Sequence, residues 1–308
     1  MTRRYDTVSL LTDLGSRDEA AGVVRAVLHD LAPHARVIDL THDIDPFDVR
    51  AGALALVRAI AYVPAGVVLA SIDPGAGTER RAIAVEIAGG EGVVIGPDNG
   101  LLAPAIALTG GAERAVLLTN PAFHLEAPSP TFAARDVFAP VAAHLCNGVP
   151  FDELGEPVDP AILLPSVIPL PRTEAIDGVM GLECEVLWVD RYGNAQLNVG
   201  SDEVAEAFGD RWTTVDEARF QVVIGEDTRV AVIRRSFLGG GTGAVGLVLD
   251  SSGMYALAME EYSAAGELRL GVTDRVRLVP LAVEPAPPGA PIEGPVTTPV
   301  QLGRRPAP

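Results

Sequence analysis

Short runs of β-branched and aliphatic residues alternate with longer Ala- and Leu-rich segments through the first half of the chain. The runs TVSLL (7–11), RVIDL (36–40), VVLASI (67–72), GVVIG (92–96) and AVLLT (115–119) have the length and composition of strands. Between them, segments 18–31, 48–62 and 101–110 have the length and content of helices. This alternation predicts βαβ units, hence a mostly parallel sheet covered on both faces, in an N-terminal α/β domain over residues 1–160.

The pattern changes after residue 160. DPAILLPSVIPLPRTEAIDG (159–178) carries four prolines, which forbid a long helix, so 161–178 reads as a linker. GLECEVLWVD, RVAVIR, AVGLVLD, MYALAME and RVRLVPL follow, separated by Gly-containing turns, and predict a smaller antiparallel sheet or β-barrel over 179–281. GGGTGAVG (239–246) reads as a mobile loop before a strand, and the Pro-rich segment 282–308 as a disordered tail.

A chain of 308 residues can bury a substantial core, and 48% hydrophobic residues argue for globular packing. A formal charge of -18 argues against nucleic acid or an anionic membrane surface as partner, because both require a basic footprint. A small cationic ligand is better tolerated. Cys146 and Cys184 have no metal-ligand spacing and suggest no disulfide framework, which fits a reduced cytoplasmic setting. The opening MTRRYDTVSLLTDLG reaches Asp13 after a short apolar run, so neither a signal peptide nor a membrane span is expected there.

In an open α/β sheet, ligands bind beyond the carboxyl ends of the strands. Asp13, then His42 and Asp43, then Asp73 with Arg80 and Arg81, then Asp98 and Asn99, all follow strand candidates directly. Taken singly, Asp13 followed by Gly15, and Asp98-Asn99-Gly100, are also ordinary turn chemistry; four such coincidences favour a site. His42 with Asp43 and Asp45 offers metal ligands, but no HExxH, CxxC or second His-rich segment accompanies them, and no metal is expected. No phosphate-binding loop and no G-x-S-x-G nucleophile elbow is present. In TFAARDVF (131–138) an adjacent Arg135-Asp136 pair follows small apolar residues, and an uncovered charge pair of this kind suggests the wall of a pocket from which something larger is missing.

Six collinear segments carry a resemblance: TDLG (12–15), VIDLTHDIDPFDVRAGA (37–53), SIDPGAGTERR (71–81), GPDNGLL (96–102), SPTFAARDVFAPVAAHL (129–145) and VDRYGNAQLN (189–198). Together they resemble the S-adenosylmethionine hydroxide adenosyltransferases, the adenosine-forming S-adenosylmethionine hydrolases related to fluorinase and chlorinase. The resemblance implies an α/β domain followed by a β-barrel, and a homotrimer with each active site between one subunit's N-terminal domain and a neighbour's C-terminal domain. It also implies attack of water at the ribose C5' of S-adenosylmethionine, which is a substrate, so no cofactor is implied.

By motif, Asp13 matches the acid that grips the ribose hydroxyls, while Asp190 and Asn194 match contacts to the methionine end and to adenine. Phe237 matches the aromatic against adenine, Ser251 the hydroxyl on the methionine carboxylate, and Glu260 and Glu261 contacts near adenine and the amino acid. Asn99 and Phe132 fall within matching segments and are carried as substrate-binding residues. Asp73 and Arg80 match two members of an Asp-Arg-His triad that positions water. The third member departs: the family commonly reads Thr-Phe-His-Gly-Arg-Asp, and this chain has Ala133 at the His. Two alternatives follow, a binding protein without turnover and a halogenase. Against the halogenase, Asp73 would repel a halide and no long insertion separates Arg81 from Asp98.

Overall fold

The computed structural model describes residues 5–281 other than 167, 177, 217, 239, 240 and 242. The expected tail lies outside the described residues, as do three positions of the glycine-rich loop. Among the described residues no helix is long and apolar enough to cross a membrane.

The N-terminal half runs β1 (Thr7–Thr12), α1 (Ala20–Leu31), β2 (Arg36–Thr41), α2 (Val49–Ile60), β3 (Val67–Ser71), β4 (Ala82–Ile87), β5 (Gly92–Pro97), α3 (Ala103–Leu108), β6 (Arg114–Leu117), α4 (Ala139–Cys146) and β7 (Glu156–Val158). Its seven strands lie in the order β2-β1-β3-β5-β4-β6-β7. The pairings among β2, β1, β3 and β5 are parallel, and those of β4, β6 and β7 are antiparallel.

Successive residues on each strand face opposite layers, so every strand feeds two cores. Val67 and Leu69 point with Val24 and Leu28 of α1 and with α4, whereas Val68 and Ala70 point with Leu56 of α2 and Ala105 of α3. That two-sided burial is why these strands read as unbroken apolar runs. AIAVEI (β4) does not stand out in the sequence, since alanine is weak in strands and Glu86 interrupts it. Glu86 is buried by pairing with Arg114.

The second half runs β8 (Arg172–Ile176), β9 (Val179–Val189), β10 (Ala195–Gly200), α5 (Ser201–Phe208), β11 (Arg219–Ile224), β12 (Asp227–Arg234), β13 (Val245–Leu249), β14 (Met254–Met259), α6 (Ala264–Leu268) and β15 (Arg275–Pro280). β10-β14-β13-β12-β11-β15-β9 closes on itself through a β9–β10 pairing, and β8 adds to β9 outside the ring. The barrel is antiparallel except at β12–β13. A parallel pair cannot be joined by a tight hairpin turn, and residues 235–244 separate these two strands in the sequence. The span expected as linker thus contains β8, because its prolines end at Pro171 and RTEAI after them is free to pair.

Two arginines of α2 reach the barrel: Arg50 donates to Glu185 at 2.6 Å, and the Arg58 guanidinium lies 5.3 Å from the Trp188 ring centre. The linker is strapped to the other domain, with the Leu164 amide on Asp98 at 2.9 Å and Arg81 on the Ile162 carbonyl at 2.9 Å.

Phe220 is fully buried in the barrel, 5.6 Å from Trp212 and 6.0 Å from Phe208. Phe220→Ala should lower unfolding free energy by about 3–5 kcal/mol, read as a shifted urea midpoint; a loss below about 1 kcal/mol would contradict this packing.

Candidate active site

β1 is flanked by β2 on one side and β3 on the other, so the chain reverses its direction of travel across the sheet beside β1. Beyond the carboxyl ends of β1 and β3, where such a reversal opens a crevice, stand Asp13 and Asp73. They are close enough that the charge of Asp13 opposes ionisation of Asp73.

Asp73 is clasped by Arg80, whose Nε donates to Oδ1 at 2.8 Å while Nη2 donates to Oδ2. The loop between them is tied by Thr78, whose hydroxyl donates to the Gly75 carbonyl at 2.7 Å. Gly77 turns the loop with φ of 81°, a conformation that suits glycine, and packs beside Pro130 and Thr131. The Asp73 side chain is only 7% exposed. Burial raises its pKa above the usual carboxylate range, Arg80 offsets part of the rise, and Asp13 adds to it. Arg81 instead pairs with Asp98 and holds the linker. Asn99 donates to the Ile72 carbonyl at 2.9 Å, joining the ends of β3 and β5.

The TFAARDVF segment lies against this pair. Residues 134–138 form a π-helical turn leading into α4, and the Phe138 ring lies under the Arg80 guanidinium at 5.6 Å. Arg135 and Asp136 are not uncovered: they bind each other through two hydrogen bonds of 2.5 and 2.8 Å, with Arg135 over the Phe132 ring at 4.9 Å. Ala133 is partly buried beside the core next to Phe132. His42 is held by Thr12 at 2.8 Å and Asp39 at 3.1 Å, so both ring nitrogens are engaged within the fold. Among the described residues no group of three His, Cys, Asp or Glu side chains is gathered for a metal ion. Phe47 carries no signal in the sequence, yet it is 70% exposed, has φ of 70°, and its amide donates to Asp13 at 2.9 Å.

The barrel presents a separate cavity of about 730 Å³. Asp190, Asn194, Phe237, Ser251 and Glu261 line it; Glu260 lies in a small adjoining recess, where it accepts from the Gly241 amide at 3.2 Å. Trp188, Gln196, Asp250, Tyr262 and Arg58 also line the cavity and were not singled out from the sequence. Burial lowers the Arg58 pKa, and Asp250 opposes that shift. Asp190 closes the β9–β10 turn, accepting from the Tyr192 amide at 2.8 Å and from Asn194 Nδ2 at 2.8 Å. None of Asp13, Asp73, Arg80, Asn99 and Phe132 is among the described residues lining this cavity. The two groups of residues thus lie apart within one chain.

Residues 8–155 match the model of the SAM hydroxide adenosyltransferase N-terminal domain, and residues 184–277 match that of the C-terminal domain. The chain belongs to the SAM hydroxide adenosyltransferase family. Within this family it is 48% identical over 190 residues to an (R)-S-adenosyl-L-methionine hydrolase of Salinispora tropica, covering 62% of this chain and 70% of that one. A protein of the same name from Salinispora arenicola is 39% identical over 273 residues, covering 88% and 97%. A fluorinase of an Actinoplanes species is 26% identical over 223 residues, covering 65% and 74%. Among solved structures, an uncharacterized conserved protein from Thermotoga maritima superposes with a TM-score of 0.76 at 28% identity, covering 88% of this chain and 99% of that one.

Gly193 sits in the β9–β10 turn at φ of 82°, where a Cβ would collide with Ser263 Oγ. Gly193→Ala should cost at least about 1–2 kcal/mol and weaken ligand binding at the cavity, read by thermal melting and titration; an unchanged melting temperature would contradict the turn geometry.

Proposed function

We infer that the protein hydrolyses S-adenosyl-L-methionine to adenosine and L-methionine. The observation that carries the reading is the buried Asp73–Arg80 clasp at the sheet's crevice in a chain whose two domains both match this family. The sulfonium is already a good leaving group and needs no protonation. What the reaction needs is a water molecule held in line with C5' and sulfur and stripped of bulk solvent.

Ionised Asp73 accepts a hydrogen bond from that water, and Arg80 holds the carboxylate in place. As the water oxygen bonds to C5', the C5'–S electron pair leaves with methionine as a neutral thioether. The released proton passes to Asp73, whose raised pKa makes it a better acceptor than an ordinary aspartate. Asp13 binds the ribose hydroxyls with the Phe47 amide steadying it, while Asn99 and Phe132 border the same half-site. Asp190, Asn194, Phe237, Ser251, Glu260 and Glu261 hold adenine and the amino-acid end. The half-sites complete each other between subunits of a homotrimer, which the separation of the two sets within one chain favours. The setting proposed is cytoplasmic, with no cofactor.

β4 and β5 are joined by a short turn over residues 88–91, and a carboxyl group, Asp73, stands at the crevice. Both features favour water over halide as nucleophile.

Asp73→Asn keeps the shape and removes the base, so kcat for adenosine release should fall on the order of 100- to 10,000-fold; turnover like the parent's would displace Asp73 from this role. Activity needs the ionised form, so it is present above the raised pKa of Asp73 and lost as pH falls through it. The acid limb of kcat/KM should lie above the ordinary aspartate value of about 3.9, and a limb at or below that value would contradict the burial described.

A further inference from the structure

The barrel cavity is lined by three acids, Asp190, Asp250 and Glu261, and by one cation among the described residues, Arg58. The two aspartates already serve the fold. Asp190 accepts from the Tyr192 and Asn194 amides and the Asn194 side chain. Asp250 accepts from Gln196 Nε2 at 2.5 Å, the Ser252 amide at 2.7 Å and the Met254 amide at 3.2 Å.

Arg58 differs. It projects from the last turn of α2, two turns beyond Arg50, and its guanidinium is laid over Trp188 at 5.3 Å. Among the described residues it makes no hydrogen bond or ion pair, although Asp250 is near enough to act on its charge. A half-buried planar fork, oriented by an aromatic face and with its donors unspent, is suited to receive a carboxylate. Asp250, which acts on the charge of Arg58, directly precedes Ser251 and Ser252, and all four residues line the same cavity. An anionic group entering a cavity with three acids needs such a cation.

We propose that Arg58 binds the α-carboxylate of the substrate's amino-acid end and makes the enzyme select the carboxylate-bearing sulfonium over its decarboxylated counterpart. This rests on the hydrolase reading above. It gives the N-terminal domain of each chain a residue in that chain's own barrel cavity, held there by the Arg50–Glu185 pair and the stack on Trp188.

The test is steady-state kinetics of the full-length parent, Arg58→Met and Arg58→Lys, with S-adenosylmethionine and with decarboxylated S-adenosylmethionine. Arg58→Met should raise KM for S-adenosylmethionine about 10- to 100-fold, with the loss on KM rather than kcat, and leave KM for the decarboxylated substrate at the parent value. Arg58→Lys should restore part of the difference as a point charge. Equal losses on both substrates would overturn the proposal in favour of a packing role, as would unchanged kinetics. A parent that turns over neither substrate would overturn the hydrolase reading and this proposal together.

Discussion

A carboxylate taken almost out of water must be partnered, and the two-point clasp of Asp73 by Arg80 is the constraint around which the N-terminal half-site is arranged. It sets the path of the 73–80 loop, with Gly77 at the bend. It also seats Arg80 on Phe138, which registers the π-helical turn and α4 against the crevice. Ala133, where the family resemblance implies a histidine, belongs to the segment so registered, and the clasp stands without such a third member. Burial raises the Asp73 pKa despite its cationic partner, which is the property the proposed role in taking the water's proton uses.

The second constraint is between domains. The arginines of α2 meet β9 twice, once at Glu185 and once at Trp188, and the linker is tied to Asp98 and Arg81. The barrel cavity is thus presented at a settled angle to the sheet, while the residues expected to act on C5' lie outside it. The two groups of residues lie apart within one chain, which is compatible with the proposal of sites completed between subunits.

Much of this was legible in the chain. Strands buried on both faces read as apolar runs, and the acids and arginine that follow β1, β3 and β5 mark the crevice in the sequence itself. β4 escaped because its alanines and Glu86 do not look like a strand. β10 escaped because Gln196 and Asn198 are buried polar residues whose partners, Asp250, the Pro169 carbonyl and the Glu185 amide, are distant in sequence. Arg135-Asp136 read as a charge pair on a pocket wall, and sequence adjacency does not show that the two side chains bind each other. Arg58 and Trp188 carried no signal, since an arginine on an amphipathic helix ordinarily marks its solvent face; only the packing of two domains turns it into a cavity wall.

The most direct measurement of the central claim is the origin of the oxygen on the product. Turnover of S-adenosylmethionine in ¹⁸O-labelled water, in the presence of chloride and fluoride, should yield adenosine carrying the label at its 5' oxygen together with free methionine. Unlabelled adenosine, a 5'-halogenated nucleoside, or binding with no product would contradict it.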